Sequence, residues 1–180
     1  SPFPYKGWKG NQYEGGIKTP MVMTWKNKIK SNTQFDGFIS ALDIFKTSLE
    51  VSNVNDELMV NADGKNIMNY LNDNIIQNEN LFWRKDKMAT VRSGNYKLIR
   101  LNDTSTVLYN IENNFFEDLD LKLIEPLIHD SLFKVLSAWE HRLIDPNWIE
   151  NKDWNIVTEM IYEDLMANKN IRAVSPKDLN

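Results

Sequence analysis

Apolar residues recur at two periods along this chain, and the change of period falls near residue 80. Upstream, Phe38, Ile39, Leu42, Phe45 and Leu49 lie at helical spacing, so residues 36–52 read as a helix. The apolar run before it, from Met21 to Trp25, predicts a strand over residues 20–26. From Leu81 on, the runs shorten to 81–83, 88–92, 96–101 and 106–111. Ser93-Gly94-Asn95 and Asn102-Asp103 supply turn residues between them, which predicts an antiparallel meander. The helical period then returns. Pro126 suits a first turn, and Ile128, Leu132, Val135, Leu136, Trp139 and Leu143 share one face that should cover one side of the meander. Asp145-Pro146 should end that helix, because a residue before proline is pushed away from helical geometry. Past Trp148 and Trp154, the stretch Ile156, Val157, Met160, Ile161, Leu165 and Met166 reads as a C-terminal packing helix rather than a cofactor box.

With 180 residues, 42% of them hydrophobic, including six Trp and eight Phe, the chain can build a core. A net charge of only −4 with both signs interspersed gives no surface for nucleic acid or an anionic membrane, so neither is expected as a partner. No apolar run approaches the roughly 20 residues of a membrane span. The absence of cysteine excludes disulfides and zinc–thiolate sites without assigning a compartment.

The candidate chemistry sits in residues 7–20, where Lys9 and Glu14 lie among Gly7, Gly10, Gly15 and Gly16. Glycine permits positive φ and close approach, so such a loop can hold a cation while its N–H groups face an oxyanion. A surface turn carrying a solvated lysine has the same glycine content. The whole pattern, G-x-K-G-x-x-Y-E-G-G-x-K-x-P, resembles the second signature region of the type I sulfatases, the formylglycine-dependent sulfate ester hydrolases of the alkaline phosphatase superfamily. The likeness continues in order through Ser40-Ala41-Leu42-Asp43, Asp63-Gly64, Leu81-Phe82-Trp83-Arg84, the stretch from Ala89 to Ile99, and Leu108-Tyr109-Asn110-Ile111, covering roughly residues 7–143.

The resemblance implies an α/β fold that is α+β in its C-terminal part. Residues 1–75 would be the edge of a large mixed α/β sheet domain, and residues 76–180 a small subdomain with an antiparallel four-stranded sheet packed on a long helix. It implies a calcium ion and a formylglycine made from Cys or Ser in a C/S-x-P-x-R setting. This sequence has no such motif: Ser1-Pro2-Phe3-Pro4-Tyr5 lacks the arginine. Both groups would belong to an N-terminal part of the same sulfatase, the implied partner of this chain, and the chain alone is expected to be inactive. The substrate would be a sulfated carbohydrate or an aryl sulfate, and the location periplasmic or secreted.

Residue by residue, Lys9 stands at the family position that contacts sulfate, where a fixed cation stabilises charge developing as the S–O bond breaks. Glu14, between Tyr13 and the Gly15-Gly16 pair, is expected to hold the loop by accepting backbone N–H bonds. Lys18 replaces the family's usual arginine and so lacks its planar fork. Trp83 and Arg84 suit a sulfated sugar, ring on pyranose and cation on anion; a buried Trp with Arg84 paired to an acid such as Asp86 fits equally. Arg92 and Arg100 read as charges on the sheet face. His129 and His141 lie outside any metal-binding spacing. Two other readings stay open: a non-catalytic sulfatase-like remnant or interaction domain, and a phosphodiesterase or phosphonate hydrolase of the same superfamily.

Overall fold

The computed structural model describes residues 4–53, 62–73, 79–102 and 104–179. By packing, the chain divides into two units, Ser1–Thr19 with Asn80–Asn180, and Pro20–Glu79. The glycine-rich loop thus packs in the same unit as the meander.

In the first unit, β1 (Leu81–Lys85), β2 (Met88–Ser93), β3 (Tyr96–Arg100) and β4 (Thr106–Asn110) form an antiparallel sheet in the order β1-β2-β3-β4, as the short runs predict. Asn102 closes the last turn by accepting from the N–H groups of Thr104 and Ser105; Asp103, its expected partner in that turn, lies outside the described residues. Side chains alternate across a pleated sheet, and both faces are covered. Ala89, Val91, Leu98 and Leu108 pack against Leu132 and Leu136 of a helix over Pro126–Glu140. Met88, Ile99, Val107 and Tyr109 point the other way, onto Tyr13 of the loop and onto Tyr162 and Leu165 of a helix over Lys152–Met166. A strand covered on both faces should read as apolar throughout, and β2 and β4 are buried along most of their length.

In chain order the helices are α1 (Glu14–Ile17), α2 (Ala41–Val51), α3 (Ile67–Asp73), α4 (Pro126–Glu140) and α5 (Lys152–Met166). Proline at the first position of α4 costs no hydrogen bond, since that N–H has no intrahelical acceptor anyway. The helix stops at Glu140, short of the expected Asp145-Pro146 boundary. There the chain tightens into three-residue closures, Arg142 N–H to Trp139 O and Leu143 N–H to Glu140 O, so Leu143 leaves the stripe and is exposed. Helix α5 begins at Asn151, whose side chain accepts from Asp153 N–H at 2.8 Å.

The second unit corrects two expectations. Residues 20–25 form no strand: no described strand pairs with them, and Met21, Val22 and Trp25 are exposed. Helix α2 forms inside the predicted span behind a Ser40/Asp43 capping box, yet its buried residues are Asp43 and Thr47, while Leu42 and Phe45 are exposed. Its polar side is tied down: Asp43 accepts from Lys65 N–H at 2.8 Å, and Thr47 Oγ1 accepts from Ile67 N–H at 2.8 Å. These bonds join two motifs that are separate in sequence, Ser-x-x-Asp and Asp-Gly. No helix among the described residues is long and apolar enough to cross a membrane.

Candidate functional site

The loop of residues 6–18 is closed on itself and then bolted to the sheet. Gly15 N–H donates to Lys6 O at 2.8 Å, Gly16 N–H to Tyr13 O at 2.8 Å, and Asn11 N–H to Trp8 O at 3.2 Å. A Cβ at Gly16 would sit 2.1 Å from Asn11 O, so the chain crosses itself only because none is there. Gly10, beside Lys9, has φ +100, a conformation side chains rarely adopt. The N–H groups of Gly15 and Gly16 are therefore occupied inside the loop and do not face an oxyanion, which corrects the expectation drawn from glycine content.

Three consecutive residues anchor the loop. Gln12 spans two elements: its N–H donates to Tyr162 of α5 at 2.8 Å, and its side chain accepts from Thr90 of β2 at 2.8 Å. Tyr13 is fully buried in the core. Glu14, 1% exposed, reaches the sheet, where its carboxylate pairs with Lys97 at 2.9 Å and approaches Arg92 at 3.6 Å. Its own N–H donates to Glu117 Oε2 at 2.8 Å, and Glu117 in turn lies 2.8 Å from Lys97. Glu14 holds the loop through ion pairs with Lys97 and Arg92, which corrects the expectation that it would accept backbone N–H bonds. Arg92, read there as a charge on the sheet face, belongs to the same cluster.

This cluster is electrostatically costly and close to balanced, with Lys97, Glu14 and Glu117 all essentially excluded from water. Burial pushes the Glu117 carboxyl up from its ordinary value against the pull of Lys97, and lowers Arg92 against Glu14 and Glu117. Next to it, Lys6 donates to Glu117 O at 2.8 Å and to Asn168 Oδ1 at 2.6 Å, with its ammonium 5.1 Å from the centre of the Tyr13 ring. Burial lowers Lys6 to about 8. Lys18 does not enter the cluster; its ammonium lies 4.7 Å from the centre of the Tyr5 ring.

Lys9 differs from these cations. It is exposed, has no ion-pair or hydrogen-bond partner among the described residues, and lines a cavity of about 290 Å³ whose walls include Trp8, Asn11, Lys85, Glu150 and Trp154. The buried amide nitrogen of Asn11 has no acceptor. Trp83 and Arg84 do not make one site, because neighbours on a strand point to opposite faces. Trp83 pairs across the sheet with Thr90, on the loop side. Arg84 lies 4.0 Å from Glu140 of α4 and donates to the backbone oxygen of Asp86, so it faces away from Lys9. Arg100 also reaches Glu140, at 2.7 Å. His129 bonds Thr106 and Asp130, and His141 bonds Ser137 O.

Sequence reading missed Lys97, Glu117, Gln12 and the cavity residues Lys85, Glu150 and Trp154. Only Lys97 carried a signal: a lysine between Tyr96 and Leu98-Ile99 in a strand that must be buried on both faces needs a partner. Trp154, which lies just ahead of the packing stripe read from sequence, is 43% exposed and lines the cavity.

No family model matches the chain. It is 35% identical over 68 residues to the uncharacterized sulfatase YdeN of Escherichia coli K12, a stretch covering 38% of this chain and 12% of YdeN. It is 42% identical over 43 residues to human steryl-sulfatase, 24% of this chain and 7% of that protein. In fold it matches the crystal structure of Ps i-CgsB in complex with k-i-k-neocarrahexaose, with TM-score 0.74 and 24% identity over 93% of this chain and 39% of that one. A Bacteroides thetaiotaomicron structure, BT33336S-sulf, matches with TM-score 0.62 and 19% identity over 72% of this chain and 30% of that one. The chain therefore spans well under two thirds of each protein it resembles.

Proposed function

We propose, for a chain that sequence likeness and fold mark as the C-terminal portion of a sulfatase, that its glycine-rich loop presents Lys9 to the sulfate group of a sulfate monoester carried on a carbohydrate. The observation that carries this reading is the contrast among the loop's charges. Glu14 is locked into the fold, whereas Lys9 has no partner among the described residues and borders a cavity.

A sulfate monoester carries one negative charge over three oxygens, and S–O cleavage moves charge onto the bridging oxygen. An ammonium fixed beside those oxygens stabilises the transition state more than the ground state. The loop's internal hydrogen bonds fix the backbone from which Lys9 projects, and Gly10 leaves the approach open.

The calcium ion and formylglycine implied by the resemblance find no fitting group among the described residues. Among the described residues no group of three His, Cys, Asp or Glu could hold a metal, and the sequence has no cysteine. The proposal assigns both to the N-terminal part of the same protein, and derives no step through either. It takes the chain by itself to be inactive, and the whole protein to be periplasmic or secreted.

The test is turnover by the protein with its N-terminal part present. Lys9→Ala should lower kcat/KM on a sulfate ester about 100-fold or more, as removing one transition-state donor does elsewhere, while the 180-residue chain should hydrolyse neither aryl sulfate nor aryl phosphate diester above background. An unchanged kcat/KM in the variant, or a preference for the phosphate diester, would overturn the reading.

A further inference from the structure

We propose that Trp8, Trp154 and the Lys85–Glu150 pair form a subsite for the sugar ring that carries the sulfate, which makes them the specificity-determining part of the cavity; this rests on Lys9 being the sulfate contact.

These residues come from three places in the fold. The glycine loop contributes Trp8, the end of β1 contributes Lys85, and Glu150 and Trp154 flank the start of α5. Phe82 serves packing, stacked on Trp139 with centroids 4.8 Å apart. Trp8 and Trp154 instead keep 36% and 43% of their surface open, in one concavity. A pyranose ring has C–H faces that match an indole face and a rim of hydroxyls that need both donors and acceptors.

Lys85 and Glu150 supply both kinds of group, 3.4 Å apart and half-exposed. Such a surface pair contributes little to stability, so its atoms can turn to ligand hydroxyls at small cost. With Lys9 included, the cavity wall carries two ammonium groups and one carboxylate, a single net positive charge. That suits a monoanionic sulfate ester better than a polyanion. A volume of about 290 Å³ is at the small end for ligand sites and suits one ring with its sulfate.

The test is titration of the 180-residue chain with a monosulfated hexose, the unsulfated hexose and inorganic sulfate, read by tryptophan fluorescence and calorimetry, with near-ultraviolet circular dichroism as the check on folding. The sulfated sugar should bind at least tenfold more tightly than either component. Trp154→Ala should lower that affinity about tenfold while leaving inorganic sulfate unaffected. Lys85→Gln, at the exposed end of β1, should weaken the sulfated sugar severalfold and is the check if Trp154→Ala misfolds. Lys9→Ala should weaken sulfate and sulfated sugar alike. Equal binding of inorganic sulfate and sulfated sugar, no binding of the sulfated sugar, or indifference to both Trp154→Ala and Lys85→Gln overturns the subsite. Sensitivity to Trp154→Ala with indifference to Lys9→Ala would leave the ring site standing and sink the sulfate role of Lys9.

Discussion

The two faces of the sheet solve the same packing problem with different chemistry. Toward α4 the contact is mainly apolar, with Ala89, Val91, Leu98 and Leu108 meeting Leu132 and Leu136, and ions meet at the helix end, where Glu140 lies 2.7 Å from Arg100. Toward the loop, apolar residues share the surface with Arg92 and the fully buried Lys97, which receive Glu14 and Glu117. An apolar interface tolerates sliding and volume-conserving exchange, whereas a buried ion pair fixes register because any displacement leaves a charge without its partner. The second face carries the loop that bears Lys9, and there position matters most.

The largest effect should come from breaking the ionic face. Lys97→Met removes a cation that pairs with two buried carboxylates and should cost about 4 kcal/mol of stability in chemical denaturation. A loss under about 1 kcal/mol would mean that the cluster does not hold the loop. Breaking the apolar face should cost somewhat less: Leu136→Ala leaves a cavity against the sheet and should lose about 3 kcal/mol, with the Lys9 loop unperturbed. If anion binding by Lys9 fell with Leu136→Ala as much as with Lys97→Met, the two faces would not be independent.

The smallest effect is the titration of Lys6. Its native value of about 8 lies below the ordinary 10.5, so between those values the unfolded chain binds the extra proton and stability should rise with pH. The melting temperature should climb by roughly 2–4 °C across that window relative to Lys6→Met. Equal slopes for the two proteins would place the lysine in water.

The meander and α4 were legible in the sequence because their signals are local: alternation along a strand and a stripe along a helix each need only neighbours in the chain. The α/β class and the place of Lys9 on a glycine loop were legible through motif likeness. What stayed hidden depends on pairing at long range. Glu14 meets Lys97 and Glu117 across more than 80 positions, and neither spacing nor composition brings such residues together. Helix α2 shows the opposite failure: its stripe of Leu42 and Phe45 was visible, but the bonds that Asp43 and Thr47 make to residues 65–67 decide which side is buried. Trp83 and Arg84 failed as a pair on geometry alone, since adjacent strand residues cannot share a face.

Gln12 and Tyr162 are 150 positions apart, and Lys6 and Asn168 are 162 apart, yet each pair shares a hydrogen bond. During synthesis on the ribosome the glycine loop emerges before its clamps, which arrive only with α5 and the residues after it. The segment that carries Lys9 is thus made before the elements that set its shape, and a nascent polypeptide arrested before residue 162 would display Lys9 on an unset loop.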